Sequence, residues 1–268
     1  IYKKFKMKFC ISNLAWNKRE NARIIKLLNQ NKISLLEYAP TLILQRFNSQ
    51  KEISKTKRFW KRNKLKLYSM QSILYEVDNT FIFGNTDQRK NFFNEVKKKI
   101  ILAKKLGSKI IVFGSPKTKN TFGKKKQEMD HLFYLMFKKI SFFAQKNKVT
   151  FCIEANPKIY NTKFLTHTKH AIYFVKKINN RFLRVNLDLG TIIYNKENLE
   201  DLLKYKHLIG HAQISSPGLR NLLRYKKQII NFLDKLKKFN YNRIVSIESL
   251  RTKSNNYKRI KDILKIVN

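Results

Sequence analysis

Eight short apolar runs, each followed by a longer segment of helical spacing, constrain this chain more than any other feature. The runs are FCIS (Phe9–Ser12), ISLLEYA (Ile33–Ala39), KLYSMQS (Lys66–Ser72), KIIVFGS (Lys109–Ser115), VTFCIE (Val149–Glu154), FLRVNLD (Phe182–Asp188), LIGHAQIS (Leu208–Ser215) and IVSIES (Ile244–Ser249). Their β-branched and aromatic content suits buried strands. Between them, NFFNEVKKKIILAKKLG places Phe92, Val96, Ile100, Ala103 and Leu106 on one helical stripe and stops at Gly107. QIINFLDKLKKF repeats the pattern with Ile229, Phe232, Leu233, Leu236 and Phe239, and Tyr257 to Val267 closes the chain as a helix. Thr41 to Asn63 is the least regular stretch and reads as a loop-plus-helix insertion. Eight strand–helix units in roughly 250 residues is the arithmetic of a (β/α)8 barrel. An open doubly wound sheet would favour a Gly-rich first turn. ISNLAWNKRE has none, and with 7 Gly in the chain no phosphate-cradling loop occurs. No linker or repeat marks a second domain, so residues 1–268 are expected to form one α/β barrel.

Composition narrows the function classes. A hydrophobic fraction of 43% with 20 Phe and 12 Tyr excludes a disordered basic tail. No segment has the ~20 uncharged apolar residues of a membrane helix. The basic opening IYKKFKMKFCISNLAW has too short an apolar part for a signal peptide and reads as a first strand, so a cytoplasmic location is expected. The 2 Cys, Cys10 and Cys152, sit in separate strand-like runs and read as buried thiols. The net charge of +42 suggests nucleic acid, but Lys is spread over nearly every segment beside much Asn, Ile, Phe and Tyr. That is the pattern of a compositional bias, so nucleic acid is disfavoured as a partner, and KTKRFWKRNKLK and KTKNTFGKKK are where it would be tested. The sequence leaves the oligomeric state open, a homo-oligomer included.

In such barrels the active site lies at the C-terminal ends of the strands. The polar residues there are Ser12, Asn13 and Trp16, Glu37, Ser69 and Gln71, Ser115 and Lys117, Glu154 and Asn156, Asp188, His211 and Gln213, and Glu248. Acids are scarce, 17 against 59 basic residues, yet Glu154, Asp188 and Glu248 end three strands of the second half. Three carboxylates at one mouth repel unless a cation sits among them, and Mg2+ or Mn2+ with oxygen ligands is the usual solution. The competing reading is that each acid caps the next helix or pairs with a nearby Lys.

ISNLAW, LLEYAPT, YSMQSILY, LGSKIIVFGSPK, IEANPKIYNTKF, NLDLGTIIYN and HAQISSPGL together resemble the sugar phosphate isomerase/epimerase family, the xylose-isomerase-like TIM barrels. The resemblance spans Ile11 to about Leu250 and implies a barrel with a divalent metal at its mouth. In related ketose epimerases Glu, Asp, His and Glu from strands five to eight hold the metal. Here these positions fall on Glu154, Asp188, Gln213 and Glu248, so an amide replaces the imidazole. Ser216 stands where an acid is frequent, and Thr191 where the epimerases carry a further His. Mn2+ or Mg2+ is then favoured over Zn2+, and weak or absent metal binding is open. His211 points to the same face one layer deeper and reads as a core histidine rather than a substitute ligand.

The implied chemistry is metal-assisted proton transfer next to a sugar carbonyl through an enediolate, with Glu154 and Glu248 as base and acid. Gln71, Ser115, Lys117, Asn156 and His211 are the expected contacts to a sugar or sugar phosphate. Trp16 would stack on the sugar or belong to the core. The alternatives are a non-catalytic sugar-binding barrel, favoured by Gln213, and a metal-dependent endonuclease on abasic DNA, disfavoured by only 5 His.

Overall fold

In the computed structural model, which describes residues 7–253 and 255–267, the eight runs form eight parallel strands joined in sequence order into a closed barrel. They are β1 (Phe9–Ser12), β2 (Leu35–Tyr38), β3 (Lys66–Met70), β4 (Ile110–Phe113), β5 (Thr150–Glu154), β6 (Leu183–Asp188), β7 (Ile209–Ile214) and β8 (Val245–Ile247). Closure comes from β1 on β8, where Phe9 pairs with Val245 and Ile11 with Ile247. The first six residues of the basic opening lie outside the described residues.

The helices are α1 (Asn21–Gln30), α2 (Pro40–Ile43), α3 (Gln50–Arg62), α4 (Thr86–Leu106), α5 (Lys126–Asn147), α6 (Thr168–Ile178), α7 (Leu189–Asn195), α8 (Leu199–Leu203), α9 (Lys226–Lys238) and α10 (Asn256–Val267). The expected stripe of α4 is buried, and Gly107 ends the helix in the left-handed conformation. Thr41–Asn63 is no insertion: α3 is the regular crossover between β2 and β3, capped by the Ser49 hydroxyl. It buries only Ile53, Thr56 and Trp60 among its charged residues, which is why its periodicity is faint. Outside the barrel, Phe92, Phe113, Phe133, Phe137, Phe151 and Phe174 pack ring against ring, with Phe133 stacked on Phe137 at 4.0 Å. Among the described residues, no helix is long and apolar enough to cross a membrane.

Two bulges shape the interior. Leu36 pairs with Leu67 but Glu37 with Ser69, leaving Tyr68 extra on β3. Val185 pairs with Ile209 but Asn186 with His211, leaving Gly210 extra on β7. A bulge re-aims the side chains beyond it. Glu37, Ser69, His211, Gln213 and Ser246 are all fully buried and bonded to one another, so the middle of this barrel is polar where branched aliphatics usually dominate.

One helix start is held tightly to its neighbouring strand. A Cβ on Gly190 would lie 2.6 Å from Ser215 Oγ and 2.8 Å from the Ser216 carbonyl carbon. The Ser216 backbone cannot swing aside, so Gly190→Ala is expected to cost about 1–3 kcal/mol. Urea unfolding monitored by circular dichroism measures this, and an unchanged midpoint would contradict the close packing.

Candidate active site

Glu154 at the end of β5, Asp188 at the end of β6 and Glu248 just after β8 line one cavity of about 140 Å3. Gln71, Ser115, Pro116, Asn156 and Tyr160 are also in its wall. The three acids expected at the mouth therefore meet there. Asp188 also caps α7, so the two readings of a strand-end acid coexist in one side chain. Its Oδ1 accepts the Thr191 N–H at 2.7 Å and its Oδ2 accepts the Ser215 hydroxyl.

Beneath the cavity lies Glu37, the best-satisfied acid in the molecule. Its Oε1 accepts from Gln213 Nε2 and Ser246 Oγ, each at 2.8 Å. Its Oε2 accepts from Ser69 Oγ at 2.7 Å and from His211 Nε2 at 2.9 Å. Burial pushes Glu37 upward, but the His211 charge and the His211, Gln213 and Ser69 hydrogen bonds outweigh it and hold the carboxyl below its ordinary value. His211 is thus a floor residue that takes no part in the cavity wall, one layer down as its spacing from Gln213 implies.

The upper acids are pushed the other way. Burial raises Glu154 to about 8, Asp188 adds to the rise and Lys119 opposes it. Glu248 is raised well above its ordinary range by burial, then by Glu154, Glu37 and Asp188. Burial also raises Asp188, against the bonds from Ser215 and Thr191. Buried carboxyls crowded around one cavity resist ionisation, the condition under which a carboxylic acid can give or take a proton near neutral pH.

Gln71, Ser115 and Asn156 are in the wall as expected. Lys117 is not: its side chain is exposed and borders two neighbouring cavities of about 300 and 640 Å3. The lysine that reaches the site is Lys119, 1% exposed: it does not line the cavity but donates to the wall residue Asn156, at Oδ1, at 2.6 Å. Burial lowers the Lys119 ammonium to about 7, with Glu154 opposing the fall. A four-residue 3-10 turn, Pro116–Lys119, explains why Lys119 and not Lys117 reaches inward. In 3-10 geometry residue 119 falls in line with Pro116, which faces the cavity, while Lys117 falls outward. Trp16 belongs to the core, 2% exposed with Nε1 donating to Asn21 Oδ1 at 2.8 Å, and does not line the cavity. Tyr160 and Asn186 are not among the expected site residues and carry no sequence signal; Glu37 stands among the strand-end polar residues, an acid ending a strand in an acid-poor chain, but from sequence no role is expected of it.

The donor set does not fit a divalent ion as it stands. Among the described residues no three of His, Cys, Asp and Glu form a group able to hold one. Gln213, the expected amide ligand, is spent: Nε2 donates to Glu37 Oε1 and, at 3.2 Å, to Gln71 Oε1, while Oε1 accepts from Asn186. Glu154 Oε1 accepts from Asn156 Nδ2 at 3.0 Å and Oε2 from Asn186 Nδ2 at 2.8 Å. Both oxygens of Asp188 are bonded too. A hard cation that needs about six oxygen donors would have to displace the amide, hydroxyl and backbone donors now on Glu154, Asp188 and Gln213. Nor does a zinc cluster for abasic DNA find ligands: His131, His167 and His207 are exposed, and His170 lies half-buried, 3.3 Å from Asp130.

A sequence model of the family described as xylose isomerase-like TIM barrel matches residues 33–266. The chain belongs to this family. Its fold is shared with a 3-keto-D-glucoside 4-epimerase from E. coli (14% identity, 98% of this chain and 99% of that one, TM-score 0.76). It is shared with a D-psicose 3-epimerase determined in the presence of D-fructose (17%, 97% and 90%, TM-score 0.73) and an L-ribulose 3-epimerase (13%, 96% and 86%, TM-score 0.72). No curated protein matches the chain. These three structural relatives are sugar epimerases, and at 13–17% identity the likeness to them shows the shared fold alone.

Proposed function

We propose that this barrel is an isomerase or epimerase of a sugar or sugar phosphate that moves a proton at a carbon next to a carbonyl. One observation carries the reading: Glu154 and Glu248, three strands apart around the ring, face one cavity and both resist ionisation. In the ionised form Glu154 takes the proton from the carbon, and the C–H electron pair moves into an enediolate whose oxygens receive hydrogen bonds from the wall. Glu248, raised well above its ordinary range by burial and by the neighbouring acids, is the carboxylic acid that returns a proton. Delivery to the opposite face of the same carbon inverts it; delivery to the neighbouring carbon shifts the carbonyl. Asn156 and Gln71 orient hydroxyls, and Asp188 holds the α7 start against β7. No step is routed through Mn2+ or Mg2+.

The test is turnover by the purified full-length protein across a panel of ketoses, aldoses and their phosphates, with and without Mn2+. Conversion of at least one sugar supports the reading. A sugar bound without conversion moves the assignment to a non-catalytic sugar-binding barrel. The active substrate should also show kcat/KM rising with pH toward about 8, because Glu154 must lose its proton to act as base and its carboxyl is raised to about 8. A pH–rate profile that is flat from acid to alkaline pH would remove Glu154 from that role.

A further inference from the structure

Most described Lys and Arg side chains point to solvent, so a Lys ammonium sealed near the mouth of the barrel needs an explanation. Lys119 is 1% exposed; among the described residues the other buried lysine, Lys99, lies over the Phe47 ring, 3.8 Å from its centroid. The loop that carries Lys119 is tied down. Ser115 takes the left-handed conformation at φ 42°, Thr118 donates its hydroxyl to the Ser115 carbonyl at 2.8 Å, and Ile82 N–H bonds the Thr118 carbonyl at 2.9 Å.

From there one directed chain runs to the carboxylate. Lys119 Nζ meets Asn156 Oδ1 at 2.6 Å and the Glu154 carbonyl at 3.5 Å, and Asn156 Nδ2 donates to Glu154 Oε1 at 3.0 Å. The ammonium fixes which way the amide points, because only its oxygen can face a donor with no lone pair. Gly114 makes room: a Cβ there would lie 2.9 Å from Glu154 Oε1 and 3.0 Å from Asn156 Nδ2.

We propose that Lys119 is the resident cation of this mouth, holding Asn156 and Glu154 where a divalent ion would otherwise gather the acids. In its protonated form, which burial confines to below a pH of about 7, it sets a positive charge beside Glu154 from within the chain, and through Asn156 it occupies one Glu154 oxygen. Lys119 is a positioning residue, and it disfavours a second cation nearby by charge repulsion. The inference goes beyond the sugar reading and stands without it.

Mn2+ titration of the full chain, followed by the electron paramagnetic resonance signal of free Mn2+, tests it. Wild type and Lys119→Arg should leave the signal undiminished at equimolar protein, whereas Lys119→Met should bind Mn2+ at least about tenfold more tightly. Stoichiometric Mn2+ on the wild type, or Lys119→Met binding no more tightly than Lys119→Arg, would overturn the proposal. Should Lys119→Met fail to fold, the 15N-edited side-chain spectrum of the wild type decides. A solvent-protected lysine ammonium peak that vanishes in Lys119→Arg supports the proposal, and its absence from the wild type overturns it. The two readings also fail separately. Sugar turnover that appears only with Mn2+ refutes the resident cation and keeps the enzyme. No turnover of any sugar, with the Mn2+ pattern as expected, does the reverse.

Discussion

Glu37→Ala is expected to cost about 3–5 kcal/mol of stability, since each buried donor left unsatisfied costs about 1–3 kcal/mol before any repacking. The variant strands four donors at once, from Ser69, His211, Gln213 and Ser246, in a place that is fully buried. Unpaired buried donors carry the full cost of their lost hydration, and the vacated volume adds a cavity term. Glu37→Gln should cost less, since its amide oxygen still accepts while its NH2 confronts other donors. Denaturant midpoints measure both; equal and small losses would contradict the floor network. The pH dependence has a defined sign. The folded-state carboxyl is held below its ordinary value of about 4.5, so its stabilisation is complete above that pH and is lost as pH falls through the depressed folded value. Glu37→Gln should therefore flatten the acid limb of the wild-type stability curve.

The second large effect is catalytic. Glu154→Gln and Glu248→Gln should each lower kcat about 10²–10⁴-fold on whichever sugar is turned over, the usual contribution of a positioned acid or base. Stability should move the opposite way. Both carboxyls are raised by burial and by neighbouring acids, so each ionises at a cost to the folded state that the neutral amide relieves, less at Glu154, where the new NH2 faces the Asn156 or Asn186 amide. A gain of about 1 kcal/mol corresponds to a rise in Tm of roughly 2–4 °C for a chain of this size. Loss of activity with a higher Tm marks a strained functional site, whereas loss of both would mark a structural role.

Much of this was legible before any coordinates. The strands announce themselves because parallel barrel strands are buried on both faces and carry continuous Val, Ile, Leu and Phe runs. Glu154, Asp188 and Glu248 stand out because acids are rare here and each closes such a run. Lysine has the opposite problem. In a chain with 59 basic residues neither Lys117 nor Lys119 carries weight, and the choice between them depends on the left-handed Ser115 and the short turn that follows. Gln213 shows a different limit. Its spacing put it on the inner face, but whether its oxygen is free depends on Asn186 from the next strand and on the bulge at Gly210. Those are register effects between strands, to which a one-dimensional pattern is blind.

The central claim is that the Glu154–Glu248 pair moves a carbon-bound proton. Incubating the protein with a converted sugar in D2O and following its proton spectrum tests this directly. Wild type should wash deuterium into the carbon next to the carbonyl, and Glu154→Gln should lose that exchange along with turnover. Conversion without any deuterium entering, or exchange undiminished in both Glu154→Gln and Glu248→Gln, would contradict the account.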